Sequence, residues 1–118
     1  QMRHELFERR FEIYKKVQVF LSQIMQKGGV DLEFIPEFYD AMQKARFLFG
    51  EDVNKYLEEI KQHAFAERDA DAKMHEIKDN RSERSKYASK KSEELKWLCD
   101  QIGQLHDKFG PYMNFSRK

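Results

Sequence analysis

The fold is decided by residues 3–27, which read RHELFERRFEIYKKVQVFLSQIMQK. Apolar side chains recur in this stretch at spacings of three and four, the period of an amphipathic α-helix. They are Leu6, Phe7, Phe11, Ile13, Tyr14, Val17, Phe20, Leu21, Ile24 and Met25. Together they cover more than one narrow stripe, and a helix with a wide apolar arc contacts several neighbours. We therefore expect a central helix in an all-α protein, ended by Gly28-Gly29.

Charged residues of this helix are spaced to pair along its own surface. Glu5 precedes Arg9 by four residues, and Glu12 precedes Lys16 by the same distance. Pairs of this spacing and order stabilise a helix by about 0.2–0.5 kcal/mol each. We expect both pairs to form.

Residues 32–49 predict a second, shorter helix. Asp31 is suited to cap it, and Pro36 then falls near its first turn, where the missing N–H costs little. Gly50 is expected just past its end. Its apolar stripe consists of Ile35, Phe38, Met42, Ala45 and Phe49. The aromatic residues of this segment are Phe34, Phe38, Tyr39, Phe47 and Phe49. They point in more than one direction on a helix, so they cannot all face a single core. Some of them either cover the first helix from outside or form a surface for self-association.

Two further helices are expected after Gly50. The third begins near Asp52, with an apolar stripe that fades past Ala66; its members are Val53, Tyr56, Leu57, Ile60 and Ala64. Asn80 and Glu83 have the spacing of a capping box and predict a fourth helix over residues 81–109. Its second half carries Leu95, Leu98, Ile102, Leu105 and Phe109. Gly110-Pro111 is expected to end it, and the aromatic tail of Tyr112, Met113 and Phe115 to fold back on the bundle.

Residues 66–94 hold only three large apolar side chains, Met74, Ile77 and Tyr87, yet contain many good helix formers. A helical hairpin with little to bury should project beyond the main core. The sequence therefore predicts one domain over residues 1–118, an antiparallel four-helix bundle. The second helix is short, and the third and fourth form a long, polar-tipped hairpin.

The composition of the 118 residues narrows the functional classes. There are 22 basic and 21 acidic residues, a net charge of +1 that indicates neither a nucleic-acid nor a membrane partner. Cys99 is the only cysteine, which favours a reducing compartment. No run of apolar residues is long enough to span a bilayer, and we expect no signal peptide.

Few residues carry the spacing of a chemical site. His63 and Glu67 lie four apart, as two metal ligands on one helix face would, but a third ligand is missing. Cys99 and His106 are seven apart, about 11 Å along a helix, which is too far for a nucleophile and its base. No Glu-x-x-His pair of a di-iron bundle and no phosphate-binding glycine loop occurs. We expect no catalytic residue, no metal site and no cofactor.

The charge of the predicted hairpin is unevenly placed. Residues 51–79 carry nine acidic and five basic residues. The following basic segment, residues 81–91, contains Arg81, Arg84, Lys86, Lys90 and Lys91 against a single acidic residue. Opposite charges on two antiparallel helices can face each other, each exposed pair adding about 0.2–1 kcal/mol. The alternative is that the basic segment binds nucleic acid or another polyanion.

Three stretches resemble a family of small uncharacterised bacterial proteins. They are RHELFERRFEIY at residues 3–14, ARFLFG at 45–50 and FGPYM at 109–113. In that family a transmembrane helix commonly precedes the first stretch. The resemblance implies a membrane anchor ahead of Gln1. Basic residues soon after it, including Arg9, Arg10 and Lys15, would then keep the bundle in the cytoplasm, tethered to the inner face of the membrane.

These observations favour a non-enzymatic helical interaction or scaffold module with an unknown protein partner. A homodimer is one form that such an interaction can take. Polyanion binding through the basic segment is the alternative, although the balanced charge makes nucleic acid an unfavoured partner. A metal-dependent enzyme using His63 and Glu67 is the weakest hypothesis.

Overall fold

The computed structural model describes the backbone of residues 2–113 and the side chains of residues 4–113. This part of the chain forms five α-helices: α1 Met2–Lys27, α2 Ile35–Leu48, α3 Glu51–Glu76, α4 Arg81–Asp100 and α5 Leu105–Met113. Two 3-10 turns, Leu32–Phe34 and Gln101–Gly103, precede α2 and α5. The molecule is elongated, with extents of 62 × 24 × 24 Å. None of the described helices has the length and apolar character needed to cross a lipid bilayer.

The helices pack as an antiparallel bundle, which confirms the predicted fold class. Phe20 of α1 stacks on Phe38 of α2 with ring centroids 4.2 Å apart. The first helix contributes much of the core, with Ile13, Val17 and Leu21 almost completely buried. All five residues predicted for the stripe of α3 are buried: Val53, Tyr56, Leu57, Ile60 and Ala64.

The turn after α1 was predicted correctly. Gly28 adopts a φ of +77°, a conformation that glycine takes without steric cost. Its N–H donates to the Ile24 carbonyl at 2.8 Å and closes the helix. Asp31 accepts from the N–H of Glu33, but it caps the 3-10 turn, and the α-helix itself begins only at Ile35.

The predicted fourth helix over residues 81–109 was wrong in its second half. The Asn80 cap is present, its side chain accepting from the N–H of Glu83 at 2.9 Å. The α-helix, however, ends at Asp100, and α5 begins only after the 3-10 turn. The turn lets α5 pack along α1, since the Phe109 ring lies edge-on against Tyr14.

Gly110-Pro111 does not end a helix, because α5 continues through both residues to Met113. Tertiary contacts hold this last turn in place. Met113 is buried, and the Tyr112 hydroxyl donates to Asp52 at 2.6 Å and accepts from the Gly50 N–H at 3.1 Å. The part of the tail that contains Phe115 lies outside the described residues.

The long hairpin of α3 and α4 has a polar tip. Helix α3 has 26 residues and is about 39 Å long at 1.5 Å per residue. No residue between 71 and 93 is buried in the described structure. The stripe of α3 nevertheless extends past Ala66, because Glu67 and Ala70 are also buried. Periodicity missed this extension since one of the two residues is charged and the other small.

Candidate interaction site

The five side chains of the basic segment do not form one stripe. At 100° per residue, Arg81, Arg84 and Lys91 lie on one side of α4, whereas Lys86 and Lys90 lie on another. Arg84 donates to the backbone carbonyls of residues 77 and 78, at 3.1 and 3.4 Å, and thereby ties the hairpin turn to α4. Within the described residues, Arg81 has no ion-pair partner.

The remaining lysines of the segment have neighbours on the hairpin itself. Lys90 pairs with Glu94, one turn further along α4, at 2.9 Å. The Lys86 ammonium lies 5.9 Å from the centroid of the Tyr87 ring, which Lys73 of α3 approaches to 5.7 Å. These contacts occupy charge that a polyanion would need, and polyanion binding through this segment stays a prediction.

Lys91 belongs to a partly buried junction that joins three elements. It pairs with Glu67 of α3 at 3.2 Å and with Asp71 at 3.6 Å, and it donates to the Gly28 carbonyl at 3.3 Å. Glu67, almost completely buried, also accepts from the Val30 N–H at 3.2 Å. The junction fastens the end of α1 to the middle of the hairpin.

His63 and Glu67, the pair with metal-ligand spacing, are engaged with different partners. The His63 Nδ1–H donates to Glu94 at 2.5 Å, and its ring stacks on Trp97 with centroids 3.8 Å apart. Burial alone would raise the pKa of the Glu94 carboxyl, but hydrogen bonds from Lys90 and His63 outweigh it and lower that pKa. No group of three metal-ligating side chains occurs among the described residues.

Cys99 is half-buried on α4 and forms no disulfide. Burial raises the pKa of its thiol, and the adjacent Asp100 carboxylate acts in the same direction. A raised pKa disfavours the thiolate that a nucleophilic cysteine requires. The thiol is therefore best described as a small packing group.

An aromatic row runs along the first turns of α1. Phe7 stacks on Phe11, and Phe11 on Tyr14, each pair with centroids 5.9 Å apart. Phe7 and Phe11 each remain more than one-third exposed. Tyr14 contacts the buried Phe109 ring, so the row on α1 connects exposed aromatic rings at one end with the core at the other.

Phe47 is the most exposed large apolar side chain of the described structure. Near the end of α2, it is 89% exposed. It borders an open cleft of about 370 Å³ between α1 and α2, whose floor is formed by Ile13 and Leu48. We call this region the Phe47 surface, and it consists of Arg9, Glu12, Ile13, Lys44, Phe47 and Leu48.

The rim of the Phe47 surface carries two charges that the described bundle does not neutralise, those of Arg9 and Glu12, whereas Lys44 pairs with Asp40 at 3.2 Å. The predicted pairs of Glu5 with Arg9 and of Glu12 with Lys16 are both absent from the described structure. Lys16 reaches across to α2 instead, where it bonds to Asp40 at 3.1 Å and to a neighbouring glutamate at 3.2 Å. Arg9 and Glu12 therefore have no ion-pair partner among the side chains of residues 4–113.

The sequence named Phe47 only as one of several aromatics that cannot share a core. The rest of the Phe47 surface was missed, because a cleft between two helices depends on how they pack. Comparisons with protein-family models, with curated proteins and with solved structures found no match to this chain.

Proposed function

We propose that this chain is a non-enzymatic helical interaction module that binds a protein partner through the Phe47 surface. The observation that carries the proposal is the 89% exposure of Phe47 beside a cleft with an apolar floor. Burying a phenylalanine side chain contributes roughly 1.5–3 kcal/mol, and aromatic anchors of this kind commonly dominate binding.

The charges around the cleft also fit a protein partner. Arg9, Glu12 and Lys44 surround the apolar floor, which gives the surface both signs of charge. Protein interfaces combine an apolar centre with a polar rim in this way. A polyanion would instead favour a surface of one sign.

From the family resemblance, we place the module at the inner face of a bacterial membrane, held by an anchor upstream of Gln1. The basic residues Arg9, Arg10 and Lys15 support this placement by the positive-inside tendency. Fractionation of cells that express the native gene tests it. Recovery in the membrane pellet, released by detergent but not by high salt, is expected; recovery in the soluble fraction would contradict the placement.

Site-specific photo-crosslinking tests the interaction surface. A photoreactive phenylalanine analogue replaces Phe47 in one variant and Phe65, a 42% exposed residue of α3, in a matched control. We expect a discrete crosslinked product in living cells from position 47 and not from position 65. Equal labelling at both positions, or none at either, would contradict the proposal.

A further inference from the structure

Four charged residues of α1, two of which line the cleft between α1 and α2, follow an antisymmetric order. Glu5, Arg9, Glu12 and Lys16 lie at spacings of four, three and four, so they form one stripe on the helix. The signs alternate from negative to positive along this stripe. When the stripe is reversed about its midpoint, between Arg9 and Glu12, every acidic residue falls on the position of a basic one and every basic residue on the position of an acidic one.

We propose that the partner of the Phe47 surface is a second copy of this chain, related by a twofold axis between Arg9 and Glu12; this inference rests on the proposed function. Two antiparallel copies of α1 about that axis bring Arg9 of each copy to Glu12 of the other. Glu5 then faces Lys16 across the interface. An isologous dimer requires this kind of self-complementary surface.

Lys16 can accept the additional carboxylate without giving up its present bonds. An ammonium group has three donor hydrogens, and Asp40 and Glu37 use two of them. The Lys16 side chain is 25% exposed, so part of it remains accessible to a partner. Glu5 of the second copy therefore has a free donor to meet.

The apolar part of the surface is self-complementary as well. Phe47 protrudes next to the cleft that Ile13 and Leu48 line together with Arg9 and Glu12. A twofold axis at this place seats Phe47 of each copy over the cleft of the other. The ring covers the floor residues while the four charges close the rim.

The contact spans about three turns of α1, which is short for a permanent interface. We therefore expect a dimer that dissociates in the micromolar to millimolar range rather than an obligate one. Its ion pairs lie at the rim, so its dissociation constant should rise with added salt.

Sedimentation velocity of the purified chain between about 1 µM and 1 mM measures this equilibrium. We expect the wild type to sediment as a concentration-dependent monomer–dimer mixture. Phe47→Ala should weaken the dimer at least about tenfold, as loss of an aromatic anchor does. The matched control Phe65→Ala should leave it unchanged. All these side chains are exposed, and thermal unfolding followed by circular dichroism verifies that each variant folds.

Charge reversal separates a second copy from any other partner. Arg9→Glu alone and Glu12→Arg alone each place like charges across the axis and should weaken self-association. An equimolar mixture of the two variants restores both pairs and should associate as tightly as the wild type. No partner other than a second copy gives this result.

Three outcomes overturn the inference: a monomer at every concentration, a dimer indifferent to Phe47→Ala, or a mixture that associates no better than its components. The proposed function fails separately. If the purified chain is monomeric but position 47 still crosslinks to another protein in cells, only the second-copy partner is overturned. A monomer without any crosslink at position 47 removes both.

Discussion

The partly buried junction around Lys91 offers the sharpest test of how this bundle is held together. Lys91→Met replaces the aliphatic part of the side chain with one of similar length and removes the charged amino group. Glu67 then stays buried with the Val30 N–H at 3.2 Å as its remaining hydrogen bond, while Asp71 and the Gly28 carbonyl each lose a partner. Breaking a buried ion pair in this way costs about 3–5 kcal/mol. The Lys91 side chain is 21% exposed, so we expect the lower end, about 3 kcal/mol.

Urea denaturation followed by circular dichroism measures this loss. A domain of this size has a slope of about 2 kcal/mol per molar urea, so the midpoint should fall by roughly 1.5 M. Lys96→Met is the matched control on the same helix. Its pair with Asp100 has both side chains more than half exposed, and it should change the free energy of unfolding by less than about 0.5 kcal/mol.

Replacing both Glu67 and Lys91 shows whether the loss of stability in Lys91→Met comes from the broken ion pair or from altered packing. The double variant Glu67→Met, Lys91→Met removes the stranded carboxylate together with its counter-ion. Apolar replacement of a whole buried pair is often neutral or stabilising. The double variant should therefore be more stable than Lys91→Met alone. A loss below 0.5 kcal/mol for Lys91→Met, or a double variant weaker than the single one, would refute this account of the junction.

Three further outcomes are expected. The pKa of the Glu94 carboxyl is lowered because its hydrogen bonds outweigh burial, so its contribution to stability is present above about pH 4.5 and is lost as the pH falls below that value. The free energy of unfolding, measured between pH 6 and pH 3, should therefore depend less on pH in Glu94→Gln than in the wild type. Gly50→Ala should lower the free energy of unfolding by about 1–3 kcal/mol, because an added Cβ would collide with the Tyr112 hydroxyl. Gly103→Ala, whose Cβ would point into open space, is the control and should not destabilise the protein in this way; thermal unfolding compares the two variants. A labelled oligonucleotide should not bind the chain at low salt, because most cations of the basic segment contact the chain's own groups; binding that weakens steeply with salt would favour the polyanion alternative.

Much of the fold could be predicted from the sequence because local signals and tertiary packing agree. The apolar period of α1, the two glycines after it and the Asn80 cap each specify a local structure that the bundle retains. The break at Gln101–Gly103 was missed because the apolar spacing of Leu98, Ile102 and Leu105 continues through it, although Gly103 lies within it. Packing of α5 against α1 decides this break, and that contact joins residues almost a hundred positions apart.

The burial of Glu67 and Glu94 inside the hairpin could not be predicted from the sequence for a different reason. A hydrophobic pattern registers Glu67 and Glu94 as surface positions, although both are buried. Their burial is possible only because Lys91 and His63 lie opposite them on the neighbouring helix. Pairing between helices depends on their register, which spacing within one helix does not specify.

The same distinction explains why the Phe47 surface is charged at its rim. Spacing along α1 predicts that Glu12 neutralises Lys16, but Asp40 and Glu37 on α2 compete for that lysine and bind it. A bond between helices stabilises the packing of α1 on α2, whereas an exposed pair within one helix contributes at most a few tenths of a kcal/mol. The tertiary bonds therefore release Glu12. Arg9 likewise has no ion-pair partner among the described residues, and these two opposite charges stand beside Phe47, the most exposed aromatic side chain of the described structure. Packing of the first two helices thus creates the surface on which the proposed interaction depends.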